Sequence, residues 1–351
     1  MKEKFTSSYS LETQEKTKKN LVWIIVFSIA MLFAGFTSAY IVSMGDTFWI
    51  KIDLPVAFYI STAVIVVSSL TLFLAMRAAR KKNKSQARLF IVFTLLLGVL
   101  FGVFQFQGYA TLVDRGAHWV TRIIVSEGRY GDYFEIKKQG TYLTVENNQY
   151  AYNDEKLKGD DLKELQDFAR QFLNVDQNGV PNDLDYTKFK LYYKGEPLAF
   201  TKGELVRPNG KKLELLDLDR LRLLSRNIVD NRADFFMSGE MGKDFELLYN
   251  GKPLEYKERT LMYDGQPLSA NLQNKLLRGN KDMSTAYFYI ITVLHLLHVV
   301  AGVIMLLVMT KRAFTNEIFE KNALSLRAGS IFWHFLGVLW LYLLLFLLFI
   351  H

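Results

Sequence analysis

The chain has 351 residues, half of them apolar and 14% aromatic, with a formal net charge of +8 and no cysteine. That length and composition admit two soluble domains or a membrane protein carrying one soluble domain. The missing cysteine leaves the compartment open, and the high pI is no sign of nucleic-acid binding, because the basic residues cluster where membrane topology would place them.

From Leu21 to Met44, Val56 to Met76, Leu89 to Leu112, Tyr287 to Met309 and Ile331 to Ile350 the sequence contains no Asp, Glu, Lys or Arg. A helix of about 20 apolar residues crosses roughly 30 Å of hydrocarbon. A charge at the bilayer centre costs about 2.5–3.5 kcal/mol on insertion scales. Five transmembrane helices are therefore expected. The first is a retained span and not a cleaved signal, since it is too long and a second follows closely. The tail of residues 1–20, the loop Arg77–Arg88 (RAARKKNKSQAR) and the loop Lys311–Arg327 together hold 15 basic residues against five Glu. These segments share one side of a five-span chain, which the positive-inside rule makes cytoplasmic. Their excess fits contact with anionic lipid headgroups. The other side receives the short loop with Asp46, Lys51 and Asp53, the C-terminus, and residues 113–283.

Residues 113–283 carry 27 basic and 28 acidic residues, too polar to span a membrane, yet aromatic and aliphatic residues recur throughout. The recurrence has a period. FKLYYKGEPL begins at Phe189 and FELLYNGKPL at Phe245, with a weaker FEIKKQGTYL from Phe134; YNDEKL from Tyr152, PNGKKL from Pro208 and YDGQPL from Tyr263 echo them. Asn-Gly and Asp-Gly after aromatic residues mark turns between short strands. Helices are expected after Asp160 (Leu162, Leu165, Phe168, Ala169, Phe172 and Leu173 on one face), after Asp217 (Leu218, Leu221, Leu224, Ile228) and after Ser269 (Leu272, Leu276, Leu277), each capped by that polar residue. The expectation is an inserted soluble α+β domain of three hairpin-plus-helix repeats sharing one core. DQNGVPNDLD from Asp176 lacks the spacing and terminal Glu of a calcium loop and is expected to be a solvated turn.

The spans offer little chemistry. The sequence holds five histidines, His118, His295, His298, His334 and His351. That is too few for two haems and a copper, and no thiolate pair exists for a binuclear copper centre. No span contains a carboxylate, and neither a phosphate loop nor a nucleophilic triad occurs, so no catalytic, cofactor-binding or metal-binding residue is assigned. His295 and His298 share a helical face and are expected to hydrogen-bond across helices or to lipid headgroups, with His334 the only further histidine within a span. Small residues, Ala30, Ala34 and Ser38 in the first span and the Gly98–Gly102 pair in the third, are expected to face other protein.

STAYFYIITVLHLLHVVAGVIML (Ser284–Leu306) followed by FWHFLGVLWLYLLLF (Phe332–Phe346) resembles the last two helices of cytochrome c oxidase subunit III, with its paired-His and Trp-His signatures. SIAMLFAGFTSAY from Ser28, STAVIVVSSLTLFLA from Ser61 and TLLLGVLFGVFQFQGY from Thr94 resemble the family's three preceding helices. Two N-terminal helices of the seven-helix members are missing, as in the five-helix bacterial form. The family's buried Glu after the first shared Ser is Ile29 here, Gly337 stands where many relatives have Asp, and Gly108 replaces a Glu, so no role of those carboxylates carries over.

The uncharged runs and the basic loops divide the chain into four expected segments: a cytoplasmic tail (1–20), transmembrane helices 1–3 (21–112), a periplasmic insert (113–283), which lies outside the resemblance, and transmembrane helices 4–5 (284–351). The resemblance implies a non-catalytic subunit of a proton-pumping haem–copper oxidase in the bacterial inner membrane. Such a subunit packs on oxidase subunits I and II, which hold the haem and copper, binds phospholipid, and supports oxygen entry and proton uptake. Ser28, Ala34, Gly35, Ser38, Gly98, Gly102, His295, His298, Trp333, His334 and Trp340 are the expected lipid or subunit contacts. Cytochrome c is the expected donor, with quinol the alternative, and the insert is expected to meet an electron-donor complex. A different class of protein, a five-span anchor for a periplasmic sensor or interaction module, would explain the insert but not the His and Trp helices. The topology has a direct test. A single cysteine replacing Lys82 should resist an impermeant maleimide in intact cells and react once the membrane is opened; labelling of intact cells would reverse the orientation.

Overall fold

The computed structural model describes residues 11–45, 47–119, 121–125, 133–175, 185–201, 203–277, 281–316 and 323–351. Apart from Asp185, the DQNGVPNDLD stretch lies outside them. Among the described residues the helices are, in chain order, α1 (Leu11–Met44), α2 (Val56–Arg80), α3 (Lys84–Asp114), α4 (Gly159–Arg170), α5 (Leu215–Val229), α6 (Ala270–Leu277), α7 (Met283–Phe314) and α8 (Ala323–Phe349). The chain divides into two compact units: Met1–Ser43 with Leu54–Thr111 and Ala286–His351, and Met44–Asp53 with Leu112–Thr285.

The first unit is helical. Its five helices α1, α2, α3, α7 and α8 are each long and apolar enough to cross a membrane. Large apolar side chains such as Ile24, Phe27, Val66, Phe106, Leu297 and Val338 point outward. In water that would be costly; in lipid it is not, because hydrocarbon is as apolar as the side chains. Inward-facing positions follow a helical period: Val26, Ile29, Phe33, Thr37 and Tyr40 on α1, and Phe58, Ser61, Ile65, Ser68 and Leu72 on α2. At one end Arg88 caps α7, donating to the Ala313 carbonyl (3.0 Å) and to Asn316 Oδ1 (3.0 Å). A cation beside those terminal carbonyls also opposes the negative end of the helix dipole.

The second unit is α+β. Three stretches open with a five-residue strand, Phe134–Lys138, Phe189–Tyr193 and Phe245–Tyr249. Each continues through further short strands to a helix, α4, α5 or α6. The strands are more numerous than a single hairpin. Phe245–Tyr249 turns back through Lys252–Pro253, and Glu255–Lys257, Thr260–Tyr263 and Gln266–Pro267 then form a second antiparallel sheet. Two-residue turns join them with both residues at positive φ, Asn250 at 50° with Gly251 at 72° and Asp264 at 50° with Gly265 at 78°. This turn matches the strand twist and selects Asn-Gly and Asp-Gly.

The first two opening strands pair with each other, Ile136 opposite Leu191, and their residues share one apolar core with α4 and α5 that includes Phe168, Phe172, Leu221 and Ile228. The third pairs instead with Phe48–Ile52, with Ile50 opposite Leu247. Residues 44–53, taken from the sequence as a plain loop between spans, thus belong to this unit beside the insert. A five-residue FWIKI segment is too short to announce a strand without its partner. Entry and exit of the long segment close on each other through Thr121–Arg122 and Lys281–Asp282. The buried Asp282 carboxylate accepts from the backbone N–H groups of Ser284 (3.0 Å), Thr285 (3.0 Å) and Ile50 (3.4 Å), which joins the end of the long segment to the strand Phe48–Ile52. Burial pushes that carboxyl above its ordinary range, against the pull of the backbone donors.

The helix starts differ from expectation at two places. α4 begins at Gly159, leaving Asp160 inside the first turn, where a negative charge still favours the helix dipole. Asp217 sits inside α5 and accepts from the N–H of Glu214 (3.4 Å), the reverse half of a capping box, as well as from Tyr193 and Arg207. Ser269 caps α6, accepting from the Leu272 N–H (3.4 Å).

Asn148 joins the first stretch to the segment before the third. Fully buried at φ 66°, its Oδ1 accepts from the N–H groups of Ala233, Asp234 and Phe235, and its Nδ2 donates to the carbonyls of Met237 and Gly239. Asn148→Ala would leave five buried backbone groups unmatched. A loss on the order of 5 kcal/mol is expected, about 1 kcal/mol for each of the five groups, the low end of the cost of an unsatisfied buried group. Urea titration of proteolytic susceptibility in this unit measures it.

Candidate functional site

Polar side chains inside hydrocarbon are stable only when hydrogen-bonded, so the Ser, Thr, Gln, Trp and His residues of the spans show where the helices of the first unit meet. Trp333 on α8 donates its indole N–H to Ser68 Oγ on α2 (3.1 Å), and Ser68 donates to the Thr94 carbonyl on α3 (3.3 Å). Two turns further along α8, Trp340 donates to Thr62 Oγ1 (2.9 Å). Gln105 on α3 donates to Ser61 Oγ on α2 (2.8 Å). α1 is held by Thr37 to the Tyr342 hydroxyl (2.9 Å), by Ser43 to the Tyr287 hydroxyl (2.9 Å) and by Tyr40 to His351 Nδ1. Each such bond contributes about 0.6 kcal/mol on average in a membrane bundle.

The indole of Trp333 needs space, and glycine supplies it. A Cβ at Gly98 would lie 2.7 Å from the ring, and one at Gly302 would lie 3.0 Å from it. Trp333 therefore sits against α3 and α7 at once.

His295 is the centre of an aromatic cluster. Its ring lies 5.2 Å from Trp340, 6.0 Å from Phe101 and 6.4 Å from Phe33, between centroids. Its Nε2 is 3.1 Å from the carbonyl oxygen of Leu336 on α8. His298 also meets the Phe33 ring, at 5.8 Å, but its Nδ1 bonds within its own helix to the Leu294 carbonyl (2.7 Å). His334 is half-buried one residue beyond Trp333. Among the described residues no three His, Cys, Asp or Glu gather as a metal ion would require.

The structure thus brings His295, His298 and Trp340 into one cluster and seats Trp333 on Gly98. It does not bring in the rest. Gly102 meets nothing within 4 Å of a Cβ position. Ser28, Ala34, Gly35 and Ser38 face outward on α1, and Ser28 is bonded to its own helix at the Ile24 carbonyl (2.9 Å). The small-residue stripe of α1 is therefore not buried within this chain, because Phe33, Thr37 and Tyr40 take the inner face with their rings and hydroxyls. Phe33, Phe101, Ser61, Thr62, Ser68 and Gln105 went unmarked by motif. The signal for the polar four was their presence in runs otherwise almost wholly apolar.

Comparison with known proteins bears on this core. Residues 281–351, covering α7 and α8, match the family model of cytochrome c oxidase subunit III. The cytochrome c oxidase subunit 3 of Pyricularia grisea is 43% identical over 56 residues, 16% of this chain and 21% of the relative. The match thus spans about a fifth of that relative's length. The family-model match includes the paired His residues, Trp333, His334 and Trp340, and leaves α1–α3 and residues 112–280 outside. Over residues 281–351 the chain is thus similar to the cytochrome c oxidase subunit III family.

Proposed function

We propose that the chain is the non-catalytic third subunit of a proton-pumping haem–copper terminal oxidase that passes electrons from cytochrome c to dioxygen. The observation that carries this reading is the core formed by Trp333, Trp340 and His295: the two helices matching the family hold it, and it contains no carboxylate. Such a core builds a rigid bundle and has no redox or proton-exchanging centre of its own. Haem and copper belong to subunits I and II. The outward stripe Ser28, Ala34, Gly35 and Ser38 lets a helix of the catalytic subunit approach α1 closely, as small residues do within membranes. The remaining apolar faces suit phospholipid, and a bundle of this kind supports oxygen entry and sustained proton uptake beside the catalytic subunit.

The membrane is the bacterial inner membrane, with the N-terminus cytoplasmic and the second unit and C-terminus periplasmic. The three stretches of the second unit are copies of one strand-and-helix unit. The near balance of 27 basic and 28 acidic residues in the insert speaks against steering a basic cytochrome by charge. A fixed contact with an electron-donor complex is the better role. Subunit III of a quinol oxidase would share the same helical core and differ in the donor it serves. That the second unit has its own apolar core favours, as the second reading, an external interaction module on a membrane anchor.

Extraction in mild detergent tests the assignment. Haem- and copper-bearing subunits should come with the tagged chain, while the chain separated from them shows no haem spectrum; recovery without any haem protein overturns the oxidase reading. Removing the insert requires care, because deleting Arg122–Arg278 alone would strand the Phe48–Ile52 strand without Phe245–Tyr249. With residues 45–53 also replaced by a polar linker, the five-helix core should still assemble and lose its donor complex in native gels. Unchanged donor association refutes the docking role. Gly98→Val should cost about 1–3 kcal/mol by overpacking Trp333 and lower the yield of assembled oxidase, whereas Gly102→Ala should leave it unchanged.

A further inference from the structure

The core described above leaves two fully buried polar atoms unmatched. His295 faces the carbonyl of Leu336 through Nε2, and a carbonyl can only accept, so Nε2 carries the proton and Nδ1 is a bare acceptor. Nδ1 has no partner among the described residues. The Gln105 amide shows the same deficit. The Ser61 hydroxyl proton is committed to the Phe58 carbonyl (2.8 Å), so Ser61 accepts from Gln105 Nε2, which fixes the amide's orientation and leaves Oε1 without a donor. Neither residue has any exposed surface. Buried acceptors of this kind are seldom left unpaired in native proteins.

The two atoms lie along one seam. α3 and α7 run in opposite directions, and their rings meet at two levels, Tyr109 with Tyr289 at 5.7 Å and Phe101 with His295 at 6.0 Å. Gln105 lies midway between Phe101 and Tyr109 on α3, and Thr292 midway between Tyr289 and His295 on α7. The Tyr109 hydroxyl faces Thr292 without closing a hydrogen bond of ordinary geometry. Gly98 is closed by Trp333, while Gly102, one turn further, is part-exposed and has nothing within 4 Å of a Cβ position.

We infer that the α3–α7 seam is a binding site for internal water, in which a water molecule donates one hydrogen to Gln105 Oε1 and the other to His295 Nδ1. Water is the ligand whose chemistry fits: both atoms are acceptors, a water has two donors, and a buried water needs 2–4 polar partners. It gives each deep polar group its second hydrogen bond and makes the bundle's centre wet where the rest is dry. This inference does not rest on the oxidase assignment.

The test uses the full chain in lipid nanodiscs with ¹⁵N-labelled histidine. The His295 signals are assigned by their loss in His295→Phe or, should that variant not fold, by removing His118, His298, His334 and His351 in turn. The expected result is an Nδ1 shift typical of a hydrogen-bonded acceptor, with magnetisation transfer from water to the His295 ring. Gln105→Leu, which removes one of the two acceptors, should move the Nδ1 signal and abolish the transfer. An Nδ1 shift typical of a free acceptor, or water transfer that survives in Gln105→Leu, overturns the proposal.

Discussion

Trp333 between two glycines is the contact on which the helical unit depends. Van der Waals packing and interhelical hydrogen bonds must hold a bundle in lipid, since burying apolar surface from hydrocarbon gains nothing. The indole meets both needs. Its faces fill the hollows at Gly98 and Gly302, and its N–H reaches Ser68, which passes the link to the backbone of α3. Four helices are thereby fixed around one side chain. Trp340 repeats the arrangement one level away against Thr62 and His295, so the two indoles space the bundle like pegs.

The second unit is held by different physics. Its strands are short, three-quarters of them under five residues, and no such strand is stable alone. Stability comes from the apolar core between sheet and helices and from a few saturated polar side chains. Asn148 matches five backbone groups, Asp217 gathers Tyr193, Arg207 and Arg220, and Asp234 holds Arg259 and Tyr256. These contacts bind segments far apart in sequence, where hairpin turns alone would only order neighbours.

The spans were legible because charge is excluded from hydrocarbon more strictly than any helix propensity acts, and the five uncharged runs coincide with α1, α2, α3, α7 and α8. The turns were legible at Asn250–Gly251 and Asp264–Gly265 for a local reason, the positive φ that few residues accept. Pairing was not. Nothing in FWIKI states that Phe48–Ile52 belongs with Phe245–Tyr249, because partners in a sheet are chosen by the tertiary arrangement. The aromatic and His signatures of α7 and α8 pointed to the helices that hold the core, whereas the face of α1 that turns into the bundle was not legible. Spacing alone does not tell whether Ala34 or Phe33 turns inward; the hydroxyls of Thr37 and Tyr40, each with a partner on α8 or beyond it, were the better guide.

The pairing of Phe48–Ile52 with Phe245–Tyr249 also sets a clock on biogenesis. The two strands lie about 200 residues apart in the chain, so the earlier one leaves the ribosome long before the later one exists. At about 5–20 residues per second, that gap lasts on the order of 10–40 s. Through that interval an apolar strand with an open edge waits beside freshly inserted helices, the kind of edge that attracts foreign strands. A chaperone able to shield a single extended segment would have its natural substrate there, and the second unit can close only after most of the polypeptide has been made.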